Sequence, residues 1–355
     1  MRFIGNKENL LDWIFHTLEK NQVKGNNLFD FFSGTTNVAQ YFKKRGFQVS
    51  CSDLLYLSYC LQKAYIENNT EPTFEKLIDK IPQIQSGLFE LTPLESVVNY
   101  LNSIKPIKGF IYHNYTPEGT TDLDVQRKYF SSENGGKIDA IRTYIEKWHL
   151  SGDITEMEYY ILLSCLIETV PFFANIAGVY AAFHKKWDSR AIKPLQLRSI
   201  KIIKSNKEHK VYNTDSLLLC NEINTDILYL DPPYNERQYA PNYHVLETIA
   251  KYDNPEIKGI TGMRDYSNQK SSFCSEKSAL RDLERIASSV KYKYLILSYN
   301  SEGIMKQDDI IHILSKFGKV KLEETDYTRY KSNNKGVSNS IRTIKEQLYI
   351  LNYGQ

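Results

Sequence analysis

The sequence predicts an α/β chain, with a mostly parallel sheet assembled from both ends of the polypeptide and a mainly helical second domain inserted between them. Three observations carry this. Short apolar runs alternate with amphipathic helical stretches at both ends of the chain. Residues 70–205 break that alternation and read as helical, as in Ile138-Asp139-Ala140-Ile141-Arg142-Thr143-Tyr144-Ile145. At 355 residues the chain also exceeds what one core commonly fills, since single cores stop growing at about 250–300 residues. The expected division is therefore 1–69 and 206–355 for the α/β part and 70–205 for the insertion.

In order, residues 27–32 read as a short buried strand and 36–45 as a helix ended by Gly46. Residues 47–52 form a second strand, followed by Asp53 and a helix reaching about residue 69. After the insertion come strands at 226–230 and 293–298, a helix at 308–317, and closing strands at 320–326 and 347–352. Strands separated by helices run parallel, because each crossover returns the chain to the same end of the sheet.

Composition narrows the class. With 41% hydrophobic and 25% charged residues, the chain is neither disordered nor fibrous. A net charge of +3, from 45 basic and 42 acidic residues, permits a polyanionic partner without announcing one. Five cysteines, Cys51, Cys60, Cys165, Cys220 and Cys274, are an odd number without a Cys-x-x-Cys pair. That argues against a disulfide framework and a thiolate zinc site, predicts no metal centre, and fits a reducing cytoplasm. The start, Met1-Arg2-Phe3-Ile4-Gly5-Asn6-Lys7-Glu8, is charged where a secretion signal has its apolar run. Residues 159–183 are largely apolar but contain Glu168, Pro171 and Asn175. A carboxylate near the bilayer centre costs at least about 2.5–3.5 kcal/mol, so a buried helix and loop is expected and no membrane span.

Two motifs carry chemistry. Asp30-Phe31-Phe32-Ser33-Gly34-Thr35-Thr36-Asn37 sits where a strand turns into a helix, exposing backbone N–H groups and allowing close approach at Gly34. Asp53 follows the next strand, where nucleoside-binding α/β folds place the carboxylate that accepts ribose hydroxyls. Alone, these features fit equally a turn glycine and a helix cap. The second motif, Asp231-Pro232-Pro233-Tyr234, directly follows the apolar run Ile227-Leu228-Tyr229-Leu230 and is more specific. Each residue preceding a proline is pushed into an extended conformation, and prolines donate no N–H. The result is a rigid corner of acceptors, the Asp231 carboxylate and the Pro232 carbonyl, beside the aromatic face of Tyr234. The exocyclic amine of a nucleobase is a poor nucleophile because its lone pair is delocalised into the ring. Two acceptors, each taking one N–H, favour a pyramidal nitrogen and stabilise the charge that develops on alkylation. Tyr234 is placed to stack on a base that has left the duplex. Tyr239, Tyr243 and His244 just downstream either line that pocket or pack in the core.

In these motifs and their order the sequence resembles the alpha-class, Dam-like DNA adenine N6-methyltransferases over nearly its whole length. Arg2-Phe3-Ile4-Gly5-Asn6-Lys7 comes first, then Phe32-Ser33-Gly34, an inserted recognition domain, and Asp231-Pro232-Pro233-Tyr234. The resemblance implies a Rossmann-like methyltransferase domain with an inserted helical target-recognition domain, S-adenosylmethionine as methyl donor, and site-specific transfer to a flipped adenine in double-stranded DNA. Asp231, Pro232 and Tyr234 would be the catalytic residues. Phe3 and Lys7 would border the methionine part of the cofactor, with Phe32 and Gly34 in its loop. Asp30 would face its amino group, Asp53 its ribose hydroxyls, and Asp215 with Ser216 its adenine. It further implies a restriction-modification system with a cognate restriction endonuclease as partner, and a cytoplasmic, nucleoid-associated location. Thr36 departs from the family, which often has a second glycine there; a threonine leaves the loop open if its φ stays negative. An RNA base N-methyltransferase and a cofactor-retaining DNA-binding module without catalysis are the alternatives.

A polyanion partner needs cations. Residues 184–210 hold nine, Lys185, Lys186, Arg190, Lys193, Arg198, Lys201, Lys204, Lys207 and Lys210, against Asp188 and Glu208. Lys185, Lys186 and Arg190 are the leading phosphate contacts, with Arg329 and Lys331 of a polar loop as a second group. A solvated basic face is the alternative.

Overall fold

The computed structural model describes residues 5–84, 91–329 and 342–354. The chain divides into two compact units, one from Met1–Asn6, Leu55–Asn206 and Ala240–Asn268, the other from Lys7–Leu54, Lys207–Tyr239 and Gln269–Gln355.

The second unit is built on a seven-stranded sheet. Its strands are β1 (Asn27–Asp30), β2 (Gln48–Asp53), β3 (Lys210–Asn213), β4 (Asn224–Leu230), β5 (Lys291–Asn300), β6 (Gly318–Arg329) and β7 (Arg342–Tyr353). They lie in the order β3-β2-β1-β4-β5-β7-β6. The first five are parallel, with Leu28 opposite Ile227 and Leu228 opposite Leu295. β7 runs antiparallel to both of its neighbours. The sheet's two faces alternate along each strand. Phe29 and Phe31 of β1 and the loop after it, Leu228 and Leu230 of β4, Leu295, Leu297 and Tyr299 of β5, and Tyr349 and Leu351 of β7 form one core. Helix Glu276–Ser289 covers that face with Ala279, Leu283, Ile286 and Ala287, the spacing of a single helical stripe. Helix Gln307–Leu314 adds Ile310, Ile313 and Leu314. Helices Leu11–Lys20 and Asn37–Lys44 pack together through the Phe15 and Phe42 rings, 5.8 Å apart.

Sequence periodicity does not reveal β3. Its four residues, Lys-Val-Tyr-Asn, form a short edge strand without an apolar run. β6 and β7 are 12 residues each, longer than expected, because the β6–β7 ladder continues through polar residues from Gly318 opposite Tyr353 to Arg329 opposite Arg342.

The first unit is mainly helical. Helices Pro93–Ser103 and Glu156–Thr169 each begin with a reciprocal capping box, Thr92 with Glu95 and Thr155 with Glu158. Helix Ser132–Leu150 carries the buried Arg142, whose guanidinium donates to the carbonyls of Ile249 and Ala250, the Tyr159 hydroxyl and the Glu146 carboxylate. Helix Tyr56–Gln62 runs into a π-helical turn at Lys63–Glu67, closed by the Asn68 N–H on the Lys63 carbonyl at 3.0 Å. Its first amides, Tyr56 and Leu57, donate to the carboxylate of Glu247 on helix Ala240–Lys251 at 3.0 and 2.9 Å. That cap ties two segments expected in the α/β part, Leu55–Asn69 and Ala240–Asn268, into the helical unit. Residues 159–183 end their helix at Thr169 and turn at Val170–Phe172, and among the described residues no helix is long and apolar enough to cross a membrane.

Candidate active site

The order of the strands reverses between β1 and β4. At such a switch point the connections leave in opposite directions and open a crevice at the carboxyl ends of the strands. Both motifs lie there, Asp30 to Asn37 after β1 and Asp231 to Tyr234 after β4.

The loop after β1 is held from below. Phe31 N–H bonds the Tyr229 carbonyl at 3.0 Å and Ser33 N–H the Ser52 carbonyl at 3.1 Å. The Ser216 hydroxyl donates to the Phe31 carbonyl at 2.6 Å and lies 2.8 Å from the Ser52 hydroxyl. Gly34 has φ +48°, and its N–H donates to Asp53 Oδ2 at 2.8 Å. The condition of a negative φ at Thr36 is not met. Its φ is +63°, while its N–H bonds Ser33 at 2.6 Å and its hydroxyl donates to the Thr35 carbonyl and accepts from Gln40. A β-branched residue in the left-handed region is strained by about 1–3 kcal/mol, which explains why glycine suits this position. Thr36→Gly relieves that strain but loses both hydroxyl bonds and adds backbone entropy to the unfolded chain, so it should leave stability within about 1 kcal/mol of wild type. Thr36→Val, which keeps the strain and loses both hydroxyl bonds, should lower it by about 1 kcal/mol or more. Thermal melts of both variants check this.

Around the crevice the charge is mostly negative. Asp30 is buried, and its Oδ1 has no hydrogen-bond partner among the described residues. Burial first, then the neighbouring carboxylates of Asp231 and Asp53, push its carboxyl well above the usual range. Such an orphaned acceptor wants a cationic donor. Asp231 is pushed from an ordinary 3.8 to about 6 by burial, against the opposing pull of Lys7 and the Tyr234 hydroxyl. That hydroxyl donates to Asp231 Oδ1, and the Tyr234 ring meets Tyr299 edge-on at 5.1 Å. Lys7, buried, places its Nζ 2.8 Å from Glu346, 3.6 Å from Asp231 Oδ1 and 4.8 Å from the centre of the Tyr234 ring.

The other expected residues fall as follows. Phe32 stands edge-on to Phe31 and Phe273, each at 5.1 Å. Asp215 accepts the Leu217 N–H at 3.0 Å and caps the turn Ser216–Leu219. Phe3, Lys331 and the side chain of Arg329 lie outside the described residues. Tyr243 and His244 are core residues, each 1% exposed. Nε2 of His244 is 2.9 Å from the Tyr180 carbonyl, and burial holds its imidazole down near 4, hence neutral. Sequence reasoning missed Glu346 because the closing strand was expected to begin one residue later. A carboxylate beside the apolar run Leu348-Tyr349-Ile350-Leu351 was the available signal.

The basic run has a built backbone although 184–206 forms no helix or strand. The buried amide of Asn175 takes the Asp188 N–H and donates to the His184 carbonyl. Buried Asn134 bonds Ala191, Lys193 and Leu195, Asn102 bonds both backbone groups of Leu197, and Thr169 accepts from Arg198 N–H. Lys185 and Lys186 project exposed from this pinned strap. Arg190 instead forks onto Asp188, with contacts of 3.1 and 2.6 Å, so its charge is already compensated.

A doubly wound sheet with a glycine loop and an acceptor corner on either side of its switch point defines a Rossmann-like methyltransferase domain. The chain belongs to the D12 class N6 adenine-specific DNA methyltransferase family, which it matches over residues 3–313. It is 41% identical over 339 residues to the type II methyltransferase M.FokI of Planomicrobium okeanokoites, covering 94% of this chain and 50% of that protein. It is 38% identical over 341 residues to the modification methylase StsI of Streptococcus sanguinis, covering 94% and 49%. With the type II methyltransferase M.NlaIII of Neisseria lactamica it shares 37% identity over 357 residues, 99% of each chain. The chain thus spans about half the length of the first two relatives and nearly all of the third.

Proposed function

We propose that this chain is a site-specific DNA adenine N6-methyltransferase that uses S-adenosylmethionine, works on an adenine flipped from duplex DNA, and serves a restriction-modification system. The observation that carries the reading is the acceptor corner, Asp231 with the Pro232 carbonyl, which follows β4 as the Gly34 loop follows the adjacent β1, on either side of the switch point. The carboxylates of Asp30, Asp53, Asp231 and Glu346 beside the ammonium of Lys7 suit a cationic ligand, and the orphaned Asp30 oxygen suits an amino group. The bound cofactor supplies an electrophilic methyl group on a positively charged sulfur. Asp30 would bind its amino group, Asp53 its ribose and Asp215 with Ser216 its adenine.

The protein's own part is orientation and electrostatics. Oδ1 of Asp231 is engaged by the Tyr234 hydroxyl, so Oδ2 accepts one N–H of the target amine and the Pro232 carbonyl the other. With both N–H bonds taken, the nitrogen lone pair would turn out of conjugation and become available for alkylation. Holding the two reactants in line is worth roughly 7–11 kcal/mol of barrier in well-oriented systems. The helical unit reads the target sequence, the strap bearing Lys185 and Lys186 meets backbone phosphates, and a cognate endonuclease is the partner in a cytoplasmic, nucleoid-associated setting.

Transfer of labelled methyl to duplex DNA, with N6-methyladenine as product, tests the proposal. Transfer only to single-stranded RNA would replace it with the RNA reading, and cofactor-dependent DNA binding without transfer would replace it with a non-catalytic module. Two expected results follow. Asp53→Ala should weaken cofactor binding by roughly 1–3 kcal/mol, measured by calorimetry, since it leaves both the ligand hydroxyls and the Gly34 N–H unpaired. Because Asp231 must be a carboxylate to accept, kcat/KM should rise with pH through about 6 and then level off.

A further inference from the structure

We infer that Glu346 is a positioning residue for the proposed methyl transfer, holding the Lys7 ammonium off Asp231 so that the carboxylate keeps an acceptor oxygen for the target amine. The inference rests on the reading above for its catalytic part and on geometry alone for the rest.

Lys7 has two carboxylates to choose between. Its Nζ takes Glu346 at 2.8 Å, a full charge-assisted hydrogen bond, and stands 3.6 Å from Asp231 Oδ1, beyond hydrogen-bonding distance. β7 sets this partition. Its register places Glu346 opposite Asn300 at the end of β5, and Glu346 is buried, so the ammonium is anchored by a strand and not by a loop. The groups facing Asp231 are Lys7 from the segment before β1, Tyr234 on its own corner, Glu346 from β7, Asp30 from β1 and Tyr229 from β4. Only Lys7 among them is a cation. Without a charge at position 346, Lys7 would close on Asp231 from the Oδ1 side, where Tyr234 already donates, and its ammonium would compete with the amine of the base for the carboxylate. Lys7 at its present distance still favours the ionised carboxylate without consuming it.

The test is a titration of the Asp231 carboxyl by carbon-13 NMR, its resonance assigned by its loss in Asp231→Asn, combined with single-turnover transfer rates. In Glu346→Gln the Asp231 midpoint should drop by about one pH unit or more, because a negative neighbour is lost and a positive one approaches. The transfer rate at pH 8 should nevertheless fall at least tenfold, although Asp231 is fully ionised in both proteins. Glu346→Asp should recover part of the rate. A residue with only a structural role would change the melting temperature and leave the titration alone. An unmoved or raised midpoint in the Gln variant overturns the inference, as does a full rate at pH 8. Should Glu346→Gln fail to fold, Lys7→Met must raise the Asp231 midpoint, and no rise overturns it equally. If the wild-type protein methylates no adenine, the proposed function fails, while the NMR titration still decides whether Glu346 partitions Lys7.

Discussion

Asp231→Ala should reduce methyl transfer by a hundredfold or more while cofactor affinity stays within roughly tenfold of wild type. Removing one preorganised partner of developing charge commonly costs about 10²–10³ in rate, and Asp231 is one of only two acceptors in the corner. Asp30, Asp53 and the Gly34 loop, which would hold the cofactor, do not depend on it through any direct hydrogen bond among the described residues. Stability should move the other way. In the folded protein Asp231 titrates near 6, against an ordinary 3.8. Between those values the unfolded chain ionises first, so this group's contribution to stability falls as pH rises through the window and is flat above it. Asp231→Asn should accordingly melt higher than wild type above pH 6, by about 1–3 kcal/mol, with the difference gone below about pH 4. Rapid-quench kinetics, calorimetry and melts across pH measure the three effects, and turnover near wild type in the Ala variant would sink the mechanism.

Charge reversal of Lys185 and Lys186 together should give the second large effect. Each phosphate contact contributes about 0.9 to the slope of log affinity against log salt on duplex DNA, so losing two should lower it by about 1.8. The loss should be the same for specific and nonspecific duplex, and the methylated sequence should not change. Arg190→Ala should hardly move the slope, because Asp188 already compensates that guanidinium. Substitutions in residues 70–132 are the better means of altering the sequence read. A salt titration of binding decides between a phosphate strap and a merely solvated face, for which the slopes would coincide.

The sequence shows those parts of the site that are local. Asp231-Pro232-Pro233-Tyr234 is legible because a proline pair after an apolar run has few backbone options, and Gly34 because a strand is followed at once by a helix. Parts made by distant pairing are not legible. Glu346 meets Lys7 across 339 positions, and Glu247 caps a helix 190 positions away, so neither contact has a periodicity to betray it. Thr36 misled for a different reason. Threonine ordinarily avoids positive φ, yet after the Gly34 turn it stands at φ +63° with its hydroxyl on the Thr35 carbonyl.

The order in which the sheet's strands leave the ribosome has a cost in time. β1 pairs with β4, and the whole segment forming most of the helical unit must be synthesised between them. At about 5–20 residues per second that wait is on the order of tens of seconds, during which the inner edge of β1 has unpaired backbone groups and invites wrong partners. The ion pair at Lys7 waits longer still, for β7. A nascent chain halted before β7 should therefore be free of activity, depend on chaperones for solubility, and lose its protease-sensitive β1 only when β4 has emerged.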